Sequence, residues 1–323
     1  NNSMEQNIKK PKSQRPKAGG QAVIEGVMMR SEDAFAMAVR KPDGDIEVVK
    51  ENYTSLAKRK KLLGLPLIRG FIGIVEMLYF GMKYLELSAR IASPDDERKE
   101  TVVSRLLSFL VLVVAFAAAV ALFAYLPLLM SSVAGLKQKP FLFNLFAGFV
   151  RVVLFIVYIV VISFVPDIRR VFQYHGAEHK VINAYEHGEP VEIASTQKYT
   201  TYHPRCGTSF ILVMVILAIL FYALVDGILY SAFGIAMRPF YRMLYHILLL
   251  PIVFGIAYEF LKIGDNLPDE NFIFKLMTYP GMWLQRITTK PPDDSMIETA
   301  VVALKAALGE DAGSVSVRSS RRN

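Results

Sequence analysis

The chain has 323 residues, 53% of them hydrophobic and only 20% charged, and its mean hydropathy is +0.34. Apolar residues at that level, gathered into blocks long enough to cross a hydrocarbon core, exclude an ordinary soluble domain and indicate a membrane protein. The net charge of +8 does not indicate a nucleic-acid partner: the excess sits in the N-terminal tail, in KRKK at 58–61 and in the final RSSRRN, with no basic stripe interleaved with aromatic side chains. Attraction to anionic lipid accounts for the same distribution.

Residues 1–18 read as a disordered basic tail, with no apolar core close behind it that would make a cleavable signal. Residues 19–61 read as a cytoplasmic β region. AVIEGVMMR, AFAMAVR and IEVVKENY are rich in strand-forming residues, and KPDGD between the last two is a turn in which proline presets φ and glycine takes the left-handed position. Over 62–89, Arg69, Glu76, Lys83 and Glu86 interrupt an apolar stretch, which reads as an interfacial or re-entrant helix rather than a span.

A membrane bundle follows over 105–264, including a cytoplasmic connection at 166–208. Its first block, Leu106 to Met130, is uncharged. The second, Phe141 to Phe164, holds Arg151, and a guanidinium at mid-membrane is expensive. The expectation is therefore an interfacial piece, Phe141 to Val150, with Arg151 snorkelling and a span from Val152 to Ile168. The third block, Phe210 to Met237, carries Asp226, and the fourth, Leu244 to Ile263, carries His246 and Glu259. These two carboxylates are either near-interface residues or a polar pair inside the bundle, and His246 reads as a satisfied interfacial histidine. Residues 265–310 form a cytoplasmic segment ending in an amphipathic helix, Asp293 to Leu308, capped by Asp293 or Asp294, with Ile297, Val301, Leu304 and Leu308 on one face. Residues 311–323 read as a disordered tail.

The fold class expected is an α-helical membrane bundle of about four transmembrane helices, with an interfacial or re-entrant helix, a small cytoplasmic β-sheet and a C-terminal amphipathic helix. Lysine and arginine crowd the segment before the first span and the 166–208 connection, which places both termini and that connection on the cytoplasmic side of the inner membrane. A lone cysteine, Cys206, excludes an internal disulfide and agrees with a reducing compartment.

The chemistry concentrates in YHGAEHKVINAYEHG, residues 174–188. Read as a helix from about Asp167 to Gly188, this stretch sets Ile168, Phe172, His175, His179, Ile182 and Glu186 along one stripe, so the histidines face a neighbour, a ligand or a metal rather than bulk water. His175, Glu178 and His179 form H-x-x-E-H, an order in which two imidazoles hold one zinc and the glutamate activates a water. Candidates for the missing ligand are Glu186, His203 and Cys206. His175, His179 and His203 with an open fourth position suit hydrolysis, whereas Cys206 in that position closes a structural site. The competing readings are a hydrogen-bonded network around the histidines, a salt bridge from Glu178 to Lys180, Arg170 or Arg205, and inert packing for Cys206. His187 reads as an exposed helix-end residue favourable to the macrodipole.

GGQAVIEGVMMR (19–30), DIRRVFQYHGAEHK (167–180), HPRCGTSF (203–210) and PGMWLQRITTKPPDD (280–294) together resemble the YqhQ family of bacterial multi-pass membrane proteins, whose function is unknown and which are described as metal-dependent by prediction. The resemblance covers Gly19 to about Leu308. It implies that Glu25 and Arg30 line the same site, Arg30 as a planar fork for phosphate or carboxylate. One departure stands out: peptidases with H-x-x-E-H draw a third ligand from a distant downstream carboxylate, and none is identifiable here. The leading expectation is a hydrolase dependent on a divalent metal, with ligand types that suit zinc, Glu178 as base and a lipid headgroup or membrane-tethered peptide as substrate. The alternatives are a non-catalytic scaffold or assembly factor with a structural His/Cys cluster, and a small transporter using Asp226 and Glu259. Expected partners are membrane lipids and a membrane-protein partner or a second copy, with no nucleic acid.

Overall fold

The computed structural model describes residues 15–94, 102–235, 237–265, 267, 271–310 and 316–319, so most of the N-terminal tail and the last four residues lie outside the described part. Four antiparallel strands open the fold: β1 (Gly19–Val23), β2 (Gly26–Arg30), β3 (Ala34–Arg40) and β4 (Ile46–Asn52). AVIEGVMMR, which reads as one strand, is two. The chain reverses at Ile24 and Glu25, with Val23 opposite Gly26 and Glu25 at φ 51°, because a two-residue hairpin loop needs left-handed backbone. The KPDGD turn is present, with Gly44 at φ 92°. Within the expected C-terminal tail, Ser316–Ser319 form a short strand, β5, parallel to β4.

The helices, in chain order, are α1 (Ile68–Ala92), α2 (Val102–Val120, continuing through a π-helical turn at Ala121–Tyr125 into Leu126–Val133), α3 (Pro140–Ile162), α4 (Pro166–His187), α5 (Gly207–Phe233), α6 (Pro239–Asp265), α7 (Phe272–Thr288) and α8 (Asp294–Ala307). Four of them, α2, α3, α5 and α6, are long and apolar enough to cross a membrane. Much of the α2 side-chain surface from Leu106 to Phe116 is exposed and aliphatic or aromatic, a surface suited to hydrocarbon rather than water. Within the segment after the fourth apolar block, for which no helix was expected before Asp293, α7 forms with Pro280 accommodated inside it.

The sheet is covered on both faces. Val27, Met29, Ala36, Ala38 and Val48 face α4 and α8, while Met28, Phe35, Met37 and Val49 face Phe80 and Tyr84 of α1. That double burial explains why β2 and β3 are nearly all apolar instead of alternating. Asp293 caps α8 by accepting from Met296 N–H at 3.0 Å.

The expected division of the second apolar block is wrong. The α3 helix is unbroken, stops at Ile162 ahead of Pro166, and carries Arg151 midway along it. Arg151 donates Nε–H to Phe123 O at 2.9 Å. Phe123 lies in the π-helical turn of α2, where the regular ladder is displaced and a carbonyl becomes available to another helix. Asp226 and Glu259 do not pair with each other either. Asp226 accepts from Asn144 Nδ2 at 2.8 Å and lies 3.1 Å from Arg242 Nε and 3.4 Å from His246 Nε2, all four residues being buried. His246 therefore belongs to the bundle interior. Glu259, near the other end of α6, accepts two hydrogen bonds from Arg69 at 2.7 and 2.5 Å.

Removing one partner of a buried ion pair strands the other charge, whereas replacing both removes the problem. Asp226→Leu alone is expected to lower stability by about 3–5 kcal/mol, read from unfolding in detergent. Combining it with Arg242→Met should recover most of that loss; a double variant as unstable as the single one would show that the charges are not coupled.

Candidate metal centre

Helix α4 starts with Pro166 at its first turn, where a missing N–H costs nothing, and ends at Gly188, whose φ of 79° is the left-handed cap position. One side of it, Tyr174, Ala177, Val181, Ile182 and Tyr185, is buried against the sheet and α8. The histidines turn towards the end of α7 and the segment before α5. Close approach is possible because residue 176 is glycine: a Cβ there would stand 2.2 Å from Lys290 O. Lys290 N–H donates to Phe172 O at 2.9 Å, and the same contact brings Thr288 O to 2.9 Å from His175 Nδ1.

His179 Nδ1 lies 2.6 Å from Thr201 O. A carbonyl only accepts, so both Nδ1 atoms carry the proton and both Nε2 atoms present a lone pair. His175 Nε2 is 3.2 Å from Cys206 Sγ, and His179 Nε2 is buried with no hydrogen-bond partner. The ligand atoms of His175, His179 and Cys206 all lie within 4.8 Å of one another. Zinc bonds of about 2.1 Å to nitrogen and 2.3 Å to sulfur set tetrahedral ligands roughly 3.3–3.7 Å apart, so a small closure brings all three onto one ion. Cys206 is the N-cap of α5, with Thr208 Oγ1 3.2 Å from its sulfur, at a helix end that favours negative charge.

The side chain that converges with the two imidazoles is thus Cys206, and the expected triad of His175, His179 and His203 does not come together as a set among the described residues. The His203 ring lies 5.8 Å, centroid to centroid, from that of His179, and its Nε2 is 3.3 Å from Glu186 Oε1, out of line for a hydrogen bond. Gln285 of α7 grips the His203 backbone, accepting its N–H and donating to its carbonyl, each at 2.8 Å. Glu186 also lies 3.5 Å from Arg205 Nη1, and the Arg205 guanidinium sits over Phe274.

Glu178 is buried, with Oε2 3.6 Å from His179 Nε2. Burial holds its carboxyl above the usual range, against the pull of His175 and His203 and a hydrogen bond from the Gly20 backbone. Gly20 makes room for it, since a Cβ there would stand 3.0 Å from Glu178 Cγ. The expected salt bridges of Glu178 are absent among the described residues: Lys180 donates to Gln197 O and Tyr199 O, Arg170 binds Glu25, and Arg205 faces Glu186. Burial also pushes the His179 imidazole down, towards the neutral form that ligates.

Glu25 and Arg30 do not line this cluster. The Glu25 carboxylate is held by Arg170, with Nε–H to Oε1 at 2.5 Å, and by Tyr174 OH at 3.4 Å, which ties the β1–β2 turn to α4. Arg30 shares the α1 face of the sheet, its guanidinium 5.4 Å from the Phe35 and Tyr53 ring centroids and Nη1 3.1 Å from Met77 Sδ. His187 bonds Asn183 O at 2.7 Å near the end of α4 and adds nothing to the cluster. Sequence reasoning missed Thr201, Thr288, Gln285 and Gly20. The first two act through carbonyls, which no side chain announces; a glycine inside H-G-A-E-H was the visible sign of close approach.

A model of the family described as "Protein of unknown function (DUF1385)" matches residues 65–310. The chain is 33% identical over 308 residues to the "Uncharacterized protein YqhQ" of Bacillus subtilis (strain 168), covering 91% of this chain and 92% of that protein. No solved structure matches. The chain belongs to the DUF1385 family.

A carboxyl whose pKa is raised by folding stabilises the fold fully below its unfolded value and loses that contribution as pH rises through the folded value. In chelator, Glu178→Gln is therefore expected to raise Tm relative to the parent at about pH 8 and to leave it unchanged at about pH 4. Thermal melts at the two pH values check this, and equal shifts at both would refute the burial of an ionisable carboxyl.

Proposed function

We propose that this member of the DUF1385 family is a multi-pass protein of the inner membrane with a metal-dependent hydrolytic site at the cytoplasmic face, in which His175, His179 and Cys206 hold one divalent ion. What supports this is the pair of imidazoles whose Nδ1–H groups are committed to Thr288 O and Thr201 O, leaving both Nε2 lone pairs beside the Cys206 sulfur. Two imidazoles and a thiolate suit zinc. Held by His175, His179 and Cys206, such an ion would supply Lewis acidity and activate water for hydrolysis.

The chain's own residues divide the remaining work. Glu178 is the acid–base group: burial raises its carboxyl above the usual range, which makes it a better proton acceptor and a group able to return that proton to a leaving group. His179 and Glu178 are buried, whereas His175 and Cys206 are partly exposed, so substrate approaches from the side of the latter pair. Cys206 immediately precedes α5, so that approach lies at the mouth of a span and suits a lipid headgroup or a membrane-tethered peptide. The lysine and arginine distribution orients the site and both termini to the cytoplasm.

A second reading is a structural metal clip in a scaffold or assembly factor. It is favoured by the burial of His179 and by the way the cluster joins α4, the segment before α5 and the end of α7. A transporter built on Asp226 and Glu259 is not favoured, since each is paired within the bundle and they meet opposite ends of α6.

Elemental analysis by mass spectrometry of purified protein should find near one equivalent of zinc, falling below about a tenth in His179→Ala and Cys206→Ala and persisting in Glu178→Gln. Lipids and tethered peptides in proteoliposomes, followed by mass spectrometry, then separate the readings. Turnover lost in Glu178→Gln with metal retained supports the hydrolase. Metal whose removal unfolds the protein, without turnover in the parent, supports the clip. A parent with no transition metal and full stability in chelator sinks both.

A further inference from the structure

Between β4 and α1 the chain reads SLAKRKKLLGLPLI, residues 55–68. This segment is folded, as a helical turn at Leu56–Arg59 and a 3-10 turn at Lys61–Gly64, and it is pinned at both ends. At its start, Ser55 Oγ–H and Leu56 N–H each donate to the buried Glu76 carboxylate of α1 at 2.7 Å. At its end, Leu67 holds φ 66°, a left-handed conformation costly for a leucine. Its backbone lies on Gly255 of α6, where a Cβ would stand 2.6 Å from Leu67 O. Arg69 then binds Glu259, fixing the first turn of α1 to the same helix.

Between these pins, Lys58, Arg59, Lys60 and Lys61 are all exposed, and none has an ion-pair or hydrogen-bond partner for its side chain among the described residues. Directly after them Leu62, Leu65, Leu67 and Ile68 are 70, 46, 43 and 40% exposed. Four adjacent cations repel one another, and four exposed aliphatic side chains are unfavourable in water; one surface relieves both. Position points the same way. Gly255 is ten residues from the end of α6 at Asp265, roughly 15 Å of helix. The segment thus lies beside the last turns of a span candidate, at the end of the bundle where α5 begins and the histidine cluster sits.

We propose that residues 55–68 form a binding site for an anionic phospholipid, with Lys58, Arg59, Lys60 and Lys61 on the phosphate and headgroup and Leu62, Leu65, Leu67 and Ile68 against the acyl chains. Charge complementarity and continuity with α6 select a lipid over an acidic protein surface or a second copy. The proposal rests on the membrane placement of α6 and not on the metal or the hydrolysis, so metal content and lipid preference can fail separately.

The test uses the full chain in lipid nanodiscs and the electron-spin-resonance spectra of spin-labelled phosphatidylglycerol and phosphatidylcholine. The parent should immobilise phosphatidylglycerol preferentially, and replacing residues 58–61 together by glutamine should reduce that preference about tenfold or more. Leu62→Ser with Leu65→Ser should weaken the immobilised component for both lipids. A charge-free variant with unchanged circular dichroism and the parent's full preference would overturn the proposal, as would a parent without preference. Dissociation of a parent oligomer on charge removal, with no change in lipid preference, would overturn it in favour of a protein partner. If the charge-free variant does not fold, salt decides: a preference that survives about 1 M NaCl in the parent is not electrostatic and overturns the proposal.

Discussion

His175 and His179 each give Nδ1–H to a carbonyl that lies outside their own helix, Thr288 O in one case and Thr201 O in the other. These two hydrogen bonds fix tautomer and ring direction together, because an imidazole so committed has only Nε2 left to offer. They also make the site a property of the whole chain. Thr288 ends α7 and Thr201 precedes α5, so the rings converge on Cys206 only if three separate segments meet correctly. Gly176 sets how closely α4 can approach the residues after α7, and Gln285 sets where the segment before α5 passes. Chemistry at the centre is thus mechanically tied to the helix that continues into the bundle.

The same economy governs the charged groups among the apolar helices. Several of these charges have a partner that itself comes from another helix: Asp226 with Arg242 and Asn144, Arg69 with Glu259, and Arg151 with a carbonyl in the π-helical turn of α2. In a low-dielectric surround an unpartnered charge is costly, while a partnered one fixes which helix lies beside which. The polar groups therefore supply register that uniform aliphatic faces do not, since leucine packs on lipid as readily as on leucine.

How far this was legible in the sequence follows from which interactions are local. The presence of four long apolar runs, the extent of α4 and an aspartate cap at 293 or 294 are written in runs and spacings of neighbouring residues, although the bounds of the second apolar helix were not. The reading of Arg151 failed because it weighed the cost of the charge without a partner, and the partner is a backbone carbonyl in a helix that the local sequence gives no reason to irregularise. AVIEGVMMR concealed a hairpin because glutamate, not glycine or asparagine, takes the left-handed position. Helix α7 was not read from the sequence, and it contains Pro280, whose unfavourable propensity is outweighed by packing against α5. At the site, the H-x-x-E-H spacing placed two imidazoles side by side, but whether His203 or Cys206 joins them depends on the path of residues 200–206, which Gln285 helps to set from far along the chain.

On the reading proposed above, whether a further side chain would join His175, His179 and Cys206 around an ion is what separates a structural clip from a catalytic centre. His203 suits that role by type, yet its backbone is held at both polar atoms by Gln285, and its Nε2 stands 3.3 Å from Glu186 Oε1 without a hydrogen bond. Drawing the ring inward would need side-chain rotation alone and would leave Glu186 facing Arg205 without it. Glu178 is nearer, but it accepts from Gly20, and burial opposes the ionised form that a ligand must take. As a ligand it would also lose the freedom to carry a proton. On the proposed reading, the Gln285 grip on the His203 backbone and the Gly20 hydrogen bond to Glu178 are what hold these two side chains outside the group formed by His175, His179 and Cys206.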